Sequence, residues 1–483
     1  MTMNEESPYI WRWEKFFLGS AGIRAQSLFK QLDPDLDPQV YVIGIRANPR
    51  KGKLKAIVLP YECEQLPDSF LNFLNQQDND TRQHPIEHRV IGALQEIDKQ
   101  GDRLSFVSTS IAVSDLGSSY DVLVVLRLKE STCSVYPSLK QNRVRIHRDA
   151  TAEISTSLID ATAREFLEGC VRILRLREPG AGLGVLELNS EELLRSAGNR
   201  LMTVPEWKGA DLSLVGILYH ACVGVAMMRY EGSETRGYVI LSHSNHTHIE
   251  FIIRFAEPIR LYNRKVFRKL LESTSSKHSL IADAEHIHGF GHAALSYDQN
   301  EETLFEIRFD AGGIWRLMHA GSTLMRVRYG QPELPTPKVS LVTINKSIRS
   351  IDPEISEEKI VLLRELIVDL SEIGHGALLV ISCNAADEAI RLQGQAFRTD
   401  PFILNRDMLA VTTAIDGAVL IGVDRKCHAF GVILDGIAVK EGDQGRGARY
   451  NSAVRYLNST LGKAVAIIVS EDGYVDVLPP LKR

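Results

Sequence analysis

The sequence predicts an α/β protein of two to three domains, and three observations carry that reading. Apolar runs of strand length, at 40–45, 120–128 and 464–469, alternate with segments of helical period such as 158–170. At 483 residues the chain is longer than one hydrophobic core usually organises. Pro332, Pro335 and Pro337 follow one another closely, removing backbone donors and favouring extended chain, which marks a linker over 329–337.

Composition narrows the function classes. A hydrophobic content of 44% and a charged content of 24% are those of an ordinary globular protein and argue against global disorder. The net charge of -5 leaves no concentrated positive face for general DNA or RNA binding. A small phosphorylated ligand needs only a few cations and backbone N–H groups. The six cysteines form no C-x-x-C pair, so neither structural zinc nor a disulfide framework is indicated, and a reducing cytoplasm fits. Residues 1–8 are acidic and polar, unlike a secretory signal. The apolar run 215–228 is interrupted by His220 and Gly224 and is too short for the roughly 30 Å of a bilayer core, so it reads as a buried strand or helix. A cytoplasmic protein without a membrane anchor is expected.

Taken in order, the aromatic segment 9–17 reads as a terminus docked on a core, with a partner-binding helix as the alternative. The first 200 residues read as an α/β regulatory domain, and a break is expected around 198–209, after the helical pattern at 191–196. Residues 201–335 read as an α+β module with a strand at 249–255 and a helix at 264–273. Beyond the linker, a short strand is expected at 339–344. A helix then starts near Ser356, with Ile360, Leu363, Ile367 and Leu370 at helical spacing. No internal repeat or low-complexity segment interrupts this order.

Three pieces of the last third carry chemistry. Asp416-Gly417-Ala418 interrupts an apolar run, so its carboxylate sits at a strand edge or tight turn. Gly445-Arg446-Gly447-Ala448-Arg449 lets backbone N–H groups approach an anion, offers two guanidiniums, and leads into a helix over 450–459. The aliphatic strand 464–469 delivers Ser470-Glu471 at its carboxyl end, where open α/β sheets commonly bind ligands. Alone, each has a bland alternative: a hairpin turn, a solvated glycine loop, or a strand followed by a turn.

Together, and with the strand over 374–381, these pieces resemble the diadenylate cyclase (DAC) domain family from Ser356 onward. The resemblance implies a domain over 345–483 with a central mixed sheet flanked by helices. It also implies two such domains face to face in a homo-oligomer, each holding one ATP and together making cyclic di-AMP and two pyrophosphates. Asp416, Arg449 and Glu471 would be the catalytic residues, with Mg2+ or Mn2+ held by Asp416 and Glu471. Gly376, Ala377, Gly417, Ala418, Gly447, Arg449, Tyr450, Asn451, Ser452 and Ser470 would line the ATP site. Where the family has Gly-Thr-Arg-His-Arg, this chain has Gly447-Ala448-Arg449-Tyr450-Asn451, and Ile415 stands where a histidine often precedes the family's aspartate. Losing one charge-assisted phosphate contact costs about 1.5–3 kcal/mol, for which Arg446 or Arg455 is the candidate to compensate.

The upstream segment 211–293 is similar to sensor domains found before such cyclases. No helix-hairpin-helix module follows the final strand, so DNA scanning is not expected, and neither is a membrane anchor. The alternative from another class is an inactive DAC-like module that senses ATP or a cyclic dinucleotide. A third reading is a cyclase whose product contains another base. The histidines His243, His246, His248, His286, His288 and His292 suggest a metal or pH sensor, but no regular ligand set accompanies them, and satisfied or surface histidines are the simpler expectation. Residues 180–184 are a poor dinucleotide fingerprint and read as a loop. The basic run 50–55 reads as a solvated hairpin tip.

Overall fold

The computed structural model describes residues 9–47, 54–76, 86–99, 101–115, 118–147, 150–181, 189–209, 216–243, 245–275, 277–335, 341–371, 375–436, 447–459, 463–469 and 475–479. The chain divides into two compact units, Met1–Pro335 and Thr336–Arg483.

The first unit opens with α1 (Glu14–Leu32), β1 (Gln39–Ala47), β2 (Leu54–Pro60), α2 (Asp68–Gln76) and α3 (Ile86–Asp98). It continues with β3 (Leu104–Val107), β4 (Ile111–Asp115), β5 (Ser118–Leu128), α4 (Glu130–Cys133), β6 (Arg143–His147), β7 (Ala150–Glu153) and α5 (Leu158–Leu174). Strands β2-β1-β5-β3 form an antiparallel sheet, with β4 also on β5. Side chains alternate across it with the strand period of two. Tyr41, Ile43, Ile45, Leu123 and Val125 face the core of α2 and α3, whereas Val40, Val42, Val122, Val124 and Leu126 face that of α1 and α5. The aromatic terminus docks: Ile10, Trp11 and Phe17 are buried, and the Trp11 indole donates to the Pro179 carbonyl at 2.8 Å. Part of the basic run, 50–53, and residues 182–184 of the glycine run lie outside the described residues.

Next come α6 (Ser190–Gly209), α7 (Ile217–Ala226), β8 (Gly237–Leu241), β9 (Ile249–Arg260), α8 (Arg264–Leu271), β10 (Ser279–Ala282) and β11 (His286–Ala293). The unit closes with β12 (Phe305–Ala311), β13 (Ile314–His319), β14 (Ser322–Arg328) and β15 (Gln331–Glu333). Strands β15-β14-β13-β12-β8-β10-β11-β9 make one eight-stranded sheet. Helix α6 runs unbroken through 198–209, the stretch where a boundary was anticipated, despite Pro205. A Cβ on Gly198 would lie 2.5 Å from the Pro332 ring, so helix and β15 are in direct contact. The apolar run 215–228 resolves into the ten-residue helix α7, started by the buried Glu206 carboxylate, which accepts the N–H groups of Gly216 and Leu218 at 2.8 and 3.0 Å. Among the described residues no helix is long and apolar enough to cross a membrane.

Glu302 clasps the two parts of this unit. Its carboxylate accepts the backbone N–H groups of Lys140 (2.6 Å) and Gln141 (3.1 Å) and pairs with Lys208 Nζ at 3.4 Å. The side chains of Lys208 and Glu302 are only 4% and 3% exposed. Removing one member leaves a buried charge without its counter-ion, so Glu302→Ala should cost about 3–5 kcal/mol. Lys208→Met should cost less, because both backbone donors keep their acceptor. Urea unfolding midpoints of the two variants check this order.

The second unit runs α9 (Leu341–Ile351), α10 (Glu357–Ser371), β16 (Ala377–Ser382), α11 (Ala385–Arg391), β17 (Phe397–Ile403), α12 (Arg406–Thr412), β18 (Ala418–Gly422), β19 (Lys426–Val432), α13 (Ala448–Ser459), β20 (Ala464–Val469) and β21 (Val475–Leu478). Its mixed sheet has the order β17-β19-β18-β16-β20-β21, with β16 parallel to β18 and antiparallel to β20. Leu379, Ile381, Val419, Ile421, Val465 and Ile467 face α9, α10 and α12, while Leu378, Val380, Ala418, Leu420, Ala466 and Ile468 face α11 and α13. Helices cover both faces, which is why these strands read as unbroken apolar runs. Of the strand expected at 339–344, residues 341–344 are instead the start of α9, because Ile344 and Ile348, four residues apart, are both buried on one helix face, and 339–340 lie outside the described residues.

Candidate functional site

One end of the second unit's sheet gathers the chemically competent groups. Residues 413–417 bend from α12 into β18, leaving the Asp416 side chain 95% exposed just before the strand. The bend is anchored by His375, whose Nε2 lies 3.1 Å from Thr413 Oγ1 and 3.2 Å from the Thr413 carbonyl. Thr413 Oγ1 itself donates to the Leu409 carbonyl at 2.6 Å, so Nε2–H is the donor. Gly417 has φ +124°, and a Cβ there would sit 2.6 Å from the Gly431 carbonyl carbon and 2.8 Å from Val432 N. No side chain fits between these two backbones.

Helix α13 starts at the same end. Gly447 O accepts from the Asn451 backbone N–H at 3.3 Å and from Asn451 Nδ2 at 3.4 Å, turning that amide back on its own helix. Arg449, 40% exposed, reaches Asp416 with Nη2 3.6 Å from Oδ1. In water such a pair is worth little by itself, so both groups are available to a ligand. Tyr450 packs partly buried on the face that carries Ala453 and Tyr456, and Ser452 is half-buried. Arg455, exposed, donates Nε to the Asn451 carbonyl at 3.1 Å.

Register completes the placement. Leu378 pairs with Ala418 and Ala377 with Val469, so Gly376, Ala377, Asp416, Gly417 and Ala418 share this end with the last described residue of β20. Ser470, Glu471, Gly445 and Arg446 lie outside the described residues. Because the sheet is mixed, the site sits at the carboxyl end of β20 but at the amino ends of β16 and β18. Asp416 places one exposed carboxylate, a hard oxygen donor, at this end.

Sequence reasoning passed over a second constellation nearby. Arg391, at the carboxyl end of α11, donates Nε to Glu388 Oε1 at 3.0 Å and Nη2 to Glu388 Oε2 at 2.8 Å. The same guanidinium binds Asp435, through Nη1 and through Nη2 at 2.9 Å. Tyr456 of α13 donates its hydroxyl to Glu388 Oε2 at 2.9 Å. The guanidinium holds both carboxyls below their ordinary values, and burial raises the Tyr456 phenol. The one signal in the sequence is spacing: Tyr456 stands seven residues, about two helical turns, after Arg449. The histidines of the first unit are engaged elsewhere. His246 Nε2 meets Thr303 Oγ1 at 2.9 Å, His288 Nε2 meets Asp283 at 2.7 Å and His292 Nε2 meets Glu250 at 3.1 Å. Among the described residues no three His, Cys, Asp or Glu are grouped to hold a metal.

Glycine, carboxylate and guanidinium thus gather at one end of the second unit's sheet. Residues 365–478 match the family described as "DisA bacterial checkpoint controller nucleotide-binding", the DAC family. Residues 10–91 and 74–202 match "Probable sensor domain DACNG", and residues 217–321 match "Probable sensor domain DACNH". The second unit thus carries a DAC-family domain, and the first unit carries two regions of sensor-domain families. Among solved structures, a double cysteine mutant of DacA from Staphylococcus aureus is 20% identical, covering 25% of this chain and 83% of its own, with a TM-score of 0.22. No curated protein matches the chain.

Two outcomes test the geometry. Gly417→Ala should destabilise the unit by about 3 kcal/mol through its positive φ and the backbone clash, whereas Gly447→Ala, with no atom within 4 Å of the new Cβ, should stay within about 0.5 kcal/mol of wild type. Denaturant titration separates them. Glu388 and Asp435 titrate below their ordinary 4.5 and 3.8, so the stability they contribute is present above those values and lost as pH falls below them. Wild type should therefore be more stable than Arg391→Gln at neutral pH. The two should converge below about pH 4, as followed by unfolding at successive pH values.

Proposed function

We propose that the second unit condenses two ATP molecules into cyclic di-AMP, and that the first unit regulates it. The observation that carries this reading is the approach of Arg449 to Asp416, 3.6 Å apart at the sheet end where α13 begins. In each half-reaction the ribose 3'-oxygen bonds to the partner nucleotide's α-phosphorus, the bond to pyrophosphate breaks, and the hydroxyl proton leaves. Asp416 and Glu471 would hold Mg2+ or Mn2+, which would supply charge neutralisation for the phosphates and the hydroxyl. Arg449 and the N–H groups of the first turn of α13 bind phosphate oxygens, with Ser452 and Ser470 as hydroxyl donors. Gly376, Ala377, Gly417 and Ala418 lie at the strand ends beside the proposed nucleotide position.

Two attacks in opposite senses require two copies facing one another. Exposed apolar side chains lie on segments that flank or pair with the Asp416 bend: Ile415 and Phe397 both lie against Gly431, and Val411 and Ile433 are more exposed still. Such side chains suit a second copy better than water. The competing reading, a module that binds ATP or a cyclic dinucleotide without turnover, is favoured by one observation. Asn451 offers no positive charge, and its amide is turned back to Gly447.

Incubating the purified full chain with ATP and Mn2+ or Mg2+, with products identified by mass spectrometry, decides between them. Cyclic di-AMP with two pyrophosphates is expected, falling by about a thousandfold in Asp416→Ala. Nucleotide binding without product under either metal supports the sensor reading. Adding the other nucleoside triphosphates in competition tests base selectivity.

A further inference from the structure

We infer that Arg391, Glu388, Asp435 and Tyr456 form a brace that sets where Arg449 stands relative to Asp416, making them positioning residues for the nucleotide site proposed above. One guanidinium grips two carboxylates, each through a two-point contact, and the four brace residues come from three stretches of chain. Glu388 and Arg391 belong to α11. Asp435 lies three residues past Val432, which pairs with Ala418, the residue two beyond Asp416. Tyr456 belongs to α13 and ties that helix to Glu388. The chain of contacts therefore runs from the strand carrying the aspartate to the helix carrying the arginine.

The close approach of Gly436 adds a second tie between the same two elements. Its φ is +154°, and a Cβ would lie 2.5 Å from the Arg455 carbonyl oxygen, so the segment after β19 lies directly on the backbone of α13. A helix transmits such a constraint as a rigid body. Seven residues bring the chain almost back to the same helix face, so Tyr456 and Arg449 share one side of α13, about 10 Å apart along its axis. Fixing Tyr456 from one side and Arg455 from the other sets the height and rotation of the first turn. Arg449 touches Asp416; the four brace residues reach the site only through it.

The test uses the full chain with Tyr456→Phe and Asp435→Asn, and Ile360→Val as a control that perturbs the core on the opposite helix layer. Amide hydrogen exchange in the nucleotide-free protein is read over 448–452, and kcat and KM for ATP are measured where turnover is present. Both brace variants should speed exchange of the first turn of α13 by about tenfold and raise KM about fivefold with kcat within about twofold, whereas Ile360→Val moves neither. Exchange unchanged from wild type, or faster exchange with KM unmoved in an active enzyme, overturns the brace. If wild type makes no product, the cyclase reading falls by itself, and the exchange of 448–452 still decides the brace.

Discussion

Strands β16, β18 and β20 expose no residue, because helices cover both faces of their sheet, and the rest of the second unit depends on that double burial. Every side chain of the three strands must be apolar or very small, so polar chemistry can appear only where the strands stop. Register then decides which stops coincide. Since β16 is parallel to β18 and antiparallel to β20, the amino ends of two strands and the carboxyl end of the third meet at one edge. Asp416 stands there, and the contact of Gly417 with Gly431 lets β19 run close enough for its exit segment to reach α13.

The first unit solves a different problem with similar means. A single core extends from Ile10 to Leu334, joining the regions that match the two sensor-domain families. Its polar ties are buried carboxylates at element ends: Glu206 caps α7 and Glu302 collects Lys208 with two backbone donors. A buried carboxylate without partners is costly, so each ties its surroundings to one arrangement. Gly198 shows the same economy of space, since helix and strand touch where it has no side chain.

In the nucleotide reading proposed above, Asn451 in place of the family's second arginine would leave phosphate binding to Arg449 and the helix amides. Arg449 then has to be held well. That gives the Arg391 cluster its meaning: ion pairs open to water contribute little to stability, but a guanidinium gripping two segments at fixed angles specifies a geometry.

The sequence by itself determined the long, strongly periodic elements and the residue types of the site. The helix at Ile360, Leu363, Ile367 and Leu370, the strand 464–469 and the bend at Asp416-Gly417 follow from local apolar pattern and backbone freedom. It misread 341–344, where a β-branched run imitates a strand while buried helix partners decide in favour of helix. Only the tertiary structure decided that Arg449 meets Asp416 and that Arg391 joins Glu388 to Asp435, forty-four positions away. Local pattern records which face of an element is buried, whereas contacts between charged groups far apart in the chain depend on strand order and register, which no stretch of sequence encodes alone.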